Sequence, residues 1–387
     1  MKIVSTEIIV LSDPPPEKSG HTWGTGPLAV LRIRTDDGIT GTSEIFSVPP
    51  DVAKAALDGP DSWFGKLLVG QDLTHPERLW TLLYNSMLHG NRRGWAVICI
   101  GAADVALWDI YGKAMDLPVY ELLGGIERSG HQVYSESQSR EAVPYCTIVP
   151  DHGDRDRMIS EQLERIEKLL AMGFRAFKVE PMRSAPEAVV ECARQARQLI
   201  GPDLSLAVDV GYGLNDVPTA SWICDRLAES DVMFFETPFP VDHIDAYAAL
   251  ARQSPVPLAM GEHTVSRWEF LQMMDYGGVE VVQPYAVTVG GLTEAKRVVD
   301  LAHQRGVSVI PGNWSTHIQM AANVHLCAYS PITPFFEYAP PEVYWSPLRK
   351  AIGEVGLSVI HGAVAFPSGP GIGVELPDDL IKHFRID

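Results

Sequence analysis

From about residue 130 onward the chain alternates short apolar runs with longer stretches whose apolar residues recur at helical spacing. The short runs, at 133–135, 176–179, 205–208, 233–235, 258–260, 279–282, 307–310 and 335–336, read as buried strands. Between two of them Ile159, Leu163, Ile166, Leu169 and Leu170 share one helical face, closed by Gly173. Val189, Val190, Ala193, Ala196, Leu199 and Ile200 repeat the pattern and close at Gly201. Glycine at such a position can take the left-handed conformation that ends a helix. Eight strands alternating with helices predict a closed parallel β/α barrel. No GxGxxG opens the first unit, which disfavours an open doubly wound sheet.

The flanks have another rhythm. Residues 3–10, 28–34 and 39–44 read as antiparallel strands, the last two joined by a turn at Asp36-Asp37-Gly38. Residues 51–125 are helical in pattern and stop at Gly124-Gly125. From Val355 the pattern returns to short strands and a Pro/Gly-rich tail. The expected organisation is an α+β capping domain over 1–130, an α/β barrel over 131–354, and a segment 355–387 that completes the cap.

Composition narrows the function. At 46% hydrophobic and 21% charged, the chain suits a globular core. Lysine and arginine total 31 against 49 acidic residues, a net charge of −18, which argues against nucleic acid or an anionic membrane as partner. The start, with Glu7 and no long apolar core, shows no signal peptide. The apolar tract at 95–103 is interrupted by Asp104 and Asp109, too early to span a bilayer. The five cysteines are scattered without a CxxC pair and read as buried thiols. A cytoplasmic protein is expected.

In a β/α barrel the C-terminal strand ends converge on one face, where active sites lie. Those ends carry Lys178 and Glu180 (FKVEP), Asp209 (LAVDVG), Glu236 (FFETPFP), Glu262 (AMGEHT), Tyr285, His317 and Glu337. Asp209, Glu236 and Glu262 each follow the preceding acid by 26 to 29 residues, about one β/α unit. Three carboxylates converging in a dry pocket repel one another, and a hard divalent cation relieves this. All-oxygen ligation favours Mg²⁺ over Zn²⁺. The alternative is that each acid pairs separately with a loop Lys or Arg.

With these acids, the stretches GAADVALWDIYGKAMDLPVYELLGG (101–125), VVQPYAVTVGGLTEAKRV (281–298), WSTHIQMAANVHLCAYSP (314–331) and PSGPGIGVELPD (367–378) make the chain resemble the enolase superfamily. Within it, the closer match is the mandelate racemase and muconate lactonizing enzyme branch. The resemblance implies a modified TIM-type (β/α)7β barrel with an α+β cap, and Mg²⁺ held by Asp209, Glu236 and Glu262. It implies chemistry that begins by removing the proton α to a carboxylate, and a homo-oligomer is expected. Lys178 matches the first lysine of the strand-two Lys-x-Lys pair. Glu337 matches the strand-eight Glu that hydrogen-bonds the substrate carboxylate.

The chain also departs from that pattern. The second strand-two position is Glu180: a carboxylate base, a group that holds Lys178, or a contact to the metal. Tyr285, assigned to substrate binding, replaces the Asp that usually polarises the strand-seven His. Pro311-Gly312 stands where many relatives carry Pro-His, so His317, by register, is the expected general acid or base. Gly211 replaces a common Asn and is expected to leave room near the metal. His21 and Trp23, in the loop before the second cap strand, are expected to touch substrate. Arg92 and Arg93 read as a solvated pair, His325 as a packing residue, and Gly290-Gly291 as a structural turn.

The expected activity is a Mg²⁺-dependent lyase that eliminates the β-hydroxyl of an acid sugar to give a 2-keto-3-deoxy acid. The alternatives are a racemase or epimerase, and, less favoured, a cycloisomerase or a catalytically impaired scaffold.

Overall fold

The computed structural model describes residues 1–13, 26–125, 140–150, 157–330, 332–344 and 346–387. Strands β1 (Ile3–Leu11), β2 (Leu28–Thr35) and β3 (Thr40–Ile45) form an antiparallel sheet in that order. Helices α1 (Pro50–Leu57), α2 (Gly65–Leu68), α3 (Pro76–Ser86), α4 (Trp95–Met115) and α5 (Val119–Leu123) follow.

Helix α4 is apolar nearly all round, as a helix at the centre of a core must be. It is long and apolar enough to cross a membrane, but 89% of its most apolar window is buried inside the protein. It lies against β3 at Gly41, where any Cβ would sit 2.1 Å from the Ala106 carbonyl oxygen. Its two buried acids are anchors. Asp104 accepts hydrogen bonds from the Thr293 N–H (2.8 Å) and hydroxyl (2.7 Å). Asp109 accepts from the Thr42 and Ile372 N–H groups and from Lys113 Nζ.

After a short β4 (Glu141–Ala142), the barrel strands are β5 (Pro144–Ile148), β6 (Ala176–Val179), β7 (Ser205–Asp209), β8 (Val232–Glu236), β9 (Leu258–Met260), β10 (Val281–Val282), β11 (Ser308–Val309) and β12 (Phe336–Tyr338). They pair in parallel in sequence order, and β12 pairs with β5. The remaining seam is joined by the Glu337 N–H donating to the Pro311 carbonyl at 2.8 Å. Helices α6 (Met158–Ala171), α7 (Pro186–Ile200), α8 (Val217–Leu227), α9 (Ile244–Ala251), α10 (Arg267–Asp275), α11 (Leu292–Arg305) and α12 (His317–Tyr329) fill the intervals between strands. Helix α13 (Pro347–Val355) follows β12. This is the expected α/β barrel with a capping sheet.

Two details differ from the sequence reading. The expected opening strand at 133–135 lies outside the described residues, and the barrel opens with β5, whose apolar run the Pro144 at its head disguises. The tail is more than short strands. β13 (Val364–Ala365) pairs with β4, and α14 (Asp378–Phe384) ends beside β1, where the Ile386 N–H donates to the Val10 carbonyl.

Side chains alternate faces along a strand, so residues two apart point the same way. The barrel interior is one layer of Tyr145, Ala176, Ala207, Phe234, Ala259 and Val281, one from each of six successive strands, with Ile310 just past β11. Adding two to these positions gives Thr147, Lys178, Asp209, Glu236, Gly261, Gln283 and Gly312. The polar layer of the barrel is therefore a consequence of register.

Candidate active site

Lys178, 2% exposed, stands at the centre of that layer. Its Nζ lies 2.9 Å from Glu236 Oε2, 3.1 Å from Glu337 Oε1, 3.4 Å from Asp209 Oδ2 and 3.6 Å from Glu180 Oε1. Burial would discharge the ammonium, but Glu236, Glu337 and Asp209 more than reverse this and hold it well above the ordinary lysine range. Burial pushes Glu180 and Glu236 well above the ordinary carboxylate range, with Lys178 opposing. Glu337 goes the other way. Against its burial, Lys178 and hydrogen bonds from the Thr147 hydroxyl (2.6 Å), the Asn313 N–H (2.9 Å) and the Tyr285 hydroxyl (2.8 Å) keep it below that range.

Asp209 Oδ1 accepts from the Gly211 N–H (2.7 Å) and the Thr237 hydroxyl (2.6 Å), and Glu236 Oε2 from Gln283 Nε2 (2.8 Å). Glu262 is set apart. It is one residue past the inward register, and Gly261 turns the backbone out of the strand at φ 145°. Its side chain, 27% exposed, takes a hydrogen bond from the Tyr212 hydroxyl (2.7 Å), with His263 Nε2 3.5 Å away. Thr147, Tyr212, Gln283 and Asn313 were missed in the sequence. Gln283 sits in the QPY stretch already singled out, and Thr147 becomes visible once β5 is placed.

The donor set fits a hard cation by charge and chemistry. Four carboxylates ring one ammonium with Glu262 beside them, all oxygen donors, and the charge on Asp209 raises the proton affinity of both Glu236 and Glu262. Among the described residues no three such groups are yet gathered around one point at ligand distance. Lys178 stands between Asp209 and Glu236, and Glu262 is turned to Tyr212.

His317, the expected acid or base, is placed away from this cluster. It begins α12, but its ring packs on α13: a Cβ at Gly353 would lie 3.0 Å from its Cε1, and one at Gly356 2.9 Å from its Cβ. Its other neighbour is the edge of the Tyr338 ring, at 5.9 Å. Tyr338 follows Glu337 on β12 and so faces the opposite side of the sheet from Lys178. Burial, with Arg349 nearby, lowers the imidazole to about 4. His317 is a packing residue on the barrel's outer side.

Tyr285 is 1% exposed, and its ring lies 5.6 Å from that of Phe46 at the end of the cap sheet. Gly211 leaves no spare room, since a Cβ there would lie 2.5 Å from Met182 Sδ. Arg93 pairs with Glu269 at 2.5 Å. His325 is buried and accepts from the Tyr120 N–H. Asp104 already occupies the N-terminus of α11, beyond Gly290-Gly291. His21 and Trp23 lie outside the described residues.

The chain is 29% identical over 397 residues to a D-galactarolactone cycloisomerase of Agrobacterium fabrum, covering 100% of this chain and 99% of the relative. It is 31% identical to a D-galactonate dehydratase of Klebsiella pneumoniae, over 93% of this chain and 92% of that one. The solved 3,6-anhydro-D-galactonate cycloisomerase of Zobellia galactanivorans superposes with a TM-score of 0.85 at 27% identity, covering 100% of both chains. Residues 4–124 match the mandelate racemase / muconate lactonizing enzyme N-terminal domain, and 161–380 the enolase C-terminal domain-like family. With its cap, its barrel and the acid-ringed lysine between them all accounted for, the chain belongs to the mandelate racemase and muconate lactonizing enzyme branch of the enolase superfamily.

Proposed function

We propose that this protein is a Mg²⁺-dependent carbon–oxygen lyase that dehydrates an acid sugar to a 2-keto-3-deoxy acid. The observation that carries the reading is the buried Lys178 ringed by carboxylates on successive strands. Asp209, Glu236 and Glu262 would hold Mg²⁺, which supplies Lewis-acid stabilisation of the negative charge that develops on the substrate carboxylate. Lys178 adds a fixed positive charge at that point, in a site from which burial has removed most water. Glu180, with burial favouring its protonated form, takes the α-proton. The D-galactonate dehydratase relative supports an acid sugar as substrate.

A racemase of the two-base kind is not supported, because His317 faces away from the cluster and Gly312 offers no side chain. A second reading, cycloisomerisation through the same enediolate, is favoured by the two full-length relatives that carry that name.

Incubation with Mg²⁺ and an acid-sugar library in D₂O separates these readings. A 2-keto-3-deoxy product is expected. Ring opening or closure without loss of water would move the assignment to a cycloisomerase. A library left without turnover or α-deuterium would overturn both.

A further inference from the structure

Among the described residues given a role so far, none supplies the departing hydroxyl with a proton under the lyase reading, since His317 is turned away. β6, which leads to Glu180, and β10, which leads to Tyr285, are four places apart in the eight-stranded ring and so face each other across the barrel. On the β10–β11 side, a Cβ at Gly312 would lie 1.6 Å from Tyr285 Cε1 and 2.2 Å from its Cδ1. The tyrosine ring thus fills the space of any side chain at 312, so Tyr285 and Gly312 together exclude the Asp and His that relatives place there. The Tyr285 hydroxyl points at the cluster and donates to Glu337 Oε2, one bond from Lys178. Phe46 covers the ring from the cap side.

We propose that the Tyr285 hydroxyl is the proton donor to the departing β-hydroxyl, opposite the base, in place of a His–Asp pair. This rests on the lyase reading. Glu180 accepts the α-proton, and the C–H electron pair forms the enediolate and then the Cα–Cβ double bond. The C–O bond breaks with its electron pair, and the O–H proton of Tyr285 completes a water molecule. Solvent water reprotonates the phenolate and leaves hydroxide, which takes the enol hydroxyl proton as Glu180 delivers its own proton to Cβ and the enol becomes the keto acid. One water is lost and nothing is oxidised. The departing oxygen leaves as hydroxide, a much stronger base than phenolate, so transfer runs downhill even from a buried phenol.

The test uses the Mg²⁺-loaded enzyme and the acid sugar that the wild type dehydrates. Y285F is expected to keep α-proton exchange with D₂O within about tenfold while dehydration falls about 10²-fold or more, the usual weight of a general acid. A 3-fluoro analogue of that substrate, whose fluoride leaves without a proton, is expected to react equally with wild type and Y285F. Equal loss of exchange and dehydration, or equal loss with the fluoro analogue, would overturn the donor role and leave Tyr285 as a support for Glu337. Full dehydration by Y285F would also overturn it. If Y285F fails to fold, 3-fluorotyrosine at position 285 keeps the shape and makes a more acidic phenol. It must then alter kcat for the hydroxy substrate and not for the fluoro analogue, and no difference between the two overturns the proposal. A wild type that dehydrates nothing overturns the lyase reading itself, and this assignment with it.

Discussion

Lys178 Nζ lies 2.9 Å from Glu236 Oε2, and the contact is the shortest of four that the ammonium makes with buried carboxylates. Breaking a buried ion pair by removing one partner costs about 3–5 kcal/mol, because the other charge is left without compensation. Lys178→Met is therefore expected to abolish turnover and to lower metal-free stability by about that amount. Urea unfolding in EDTA measures it, and an unchanged midpoint would show that the cluster is already neutralised without the lysine.

Metal loading should partly replace that compensation. A ligand bound only by the folded protein at a hundred times its Kd stabilises by about 2.7 kcal/mol. Mg²⁺ is expected to raise the melting temperature of the wild type, and E262Q should lose the response. The amide oxygen that E262Q introduces can still accept from the Tyr212 hydroxyl, so the metal-free variant should melt like the wild type. Calorimetric titration that finds no Mg²⁺ binding to the wild type would remove Asp209, Glu236 and Glu262 as ligands.

The barrel and its acids were legible because a buried parallel strand is a short apolar run, and the side chain that follows it by register points inward. Lys178, Asp209 and Glu236 obey that rule and were found by counting. Glu262 was found too, but its geometry was not, since the turn at Gly261 is a backbone event. His317 misled for the converse reason: a residue at the start of α12 can face either the barrel mouth or α13, and only packing against Gly353 and Gly356 decides. The exclusion between Tyr285 and Gly312 is a contact across 27 residues that no local pattern encodes.

The cap is expected to depend on a buried polar joint with the barrel at the head of α11. Thr293 at the head of α11 gives its hydroxyl proton to Asp104 and accepts a hydrogen bond from Trp108 Nε1 at 2.9 Å. Thr293→Val keeps the shape and the backbone N–H bond to Asp104 Oδ2 but leaves Asp104 Oδ1 and Trp108 Nε1 without that partner, at about 1–3 kcal/mol for each buried unsatisfied group. A loss of about 2–5 kcal/mol in unfolding free energy should result, with kcat nearly unchanged at temperatures where the variant is folded. Loss below about 1 kcal/mol would mean that water replaces the threonine.

The pH dependence of stability should contain two opposed contributions that single variants separate. His317 is lowered to about 4 from an ordinary 6.5, so between those values the unfolded chain binds a proton that the folded protein refuses. Its contribution is present above about pH 6.5 and is lost as pH falls through about 4. Asp104 is raised by burial to about 7 from 3.8, so there the folded protein holds the extra proton. Its contribution is full below about pH 3.8 and is lost as pH rises through about 7. At about 1.4 kcal/mol for each tenfold change in proton affinity, the span is on the order of 3 kcal/mol for His317 and 4 kcal/mol for Asp104. The stability of the wild type relative to His317→Leu should therefore fall on acidification from pH 6.5 to 4. Relative to Asp104→Asn it should fall on going from pH 4 to 7. Urea unfolding across that range reads both differences. A flat difference for His317→Leu would mean that the imidazole reaches water in the folded protein and is not sealed against α13.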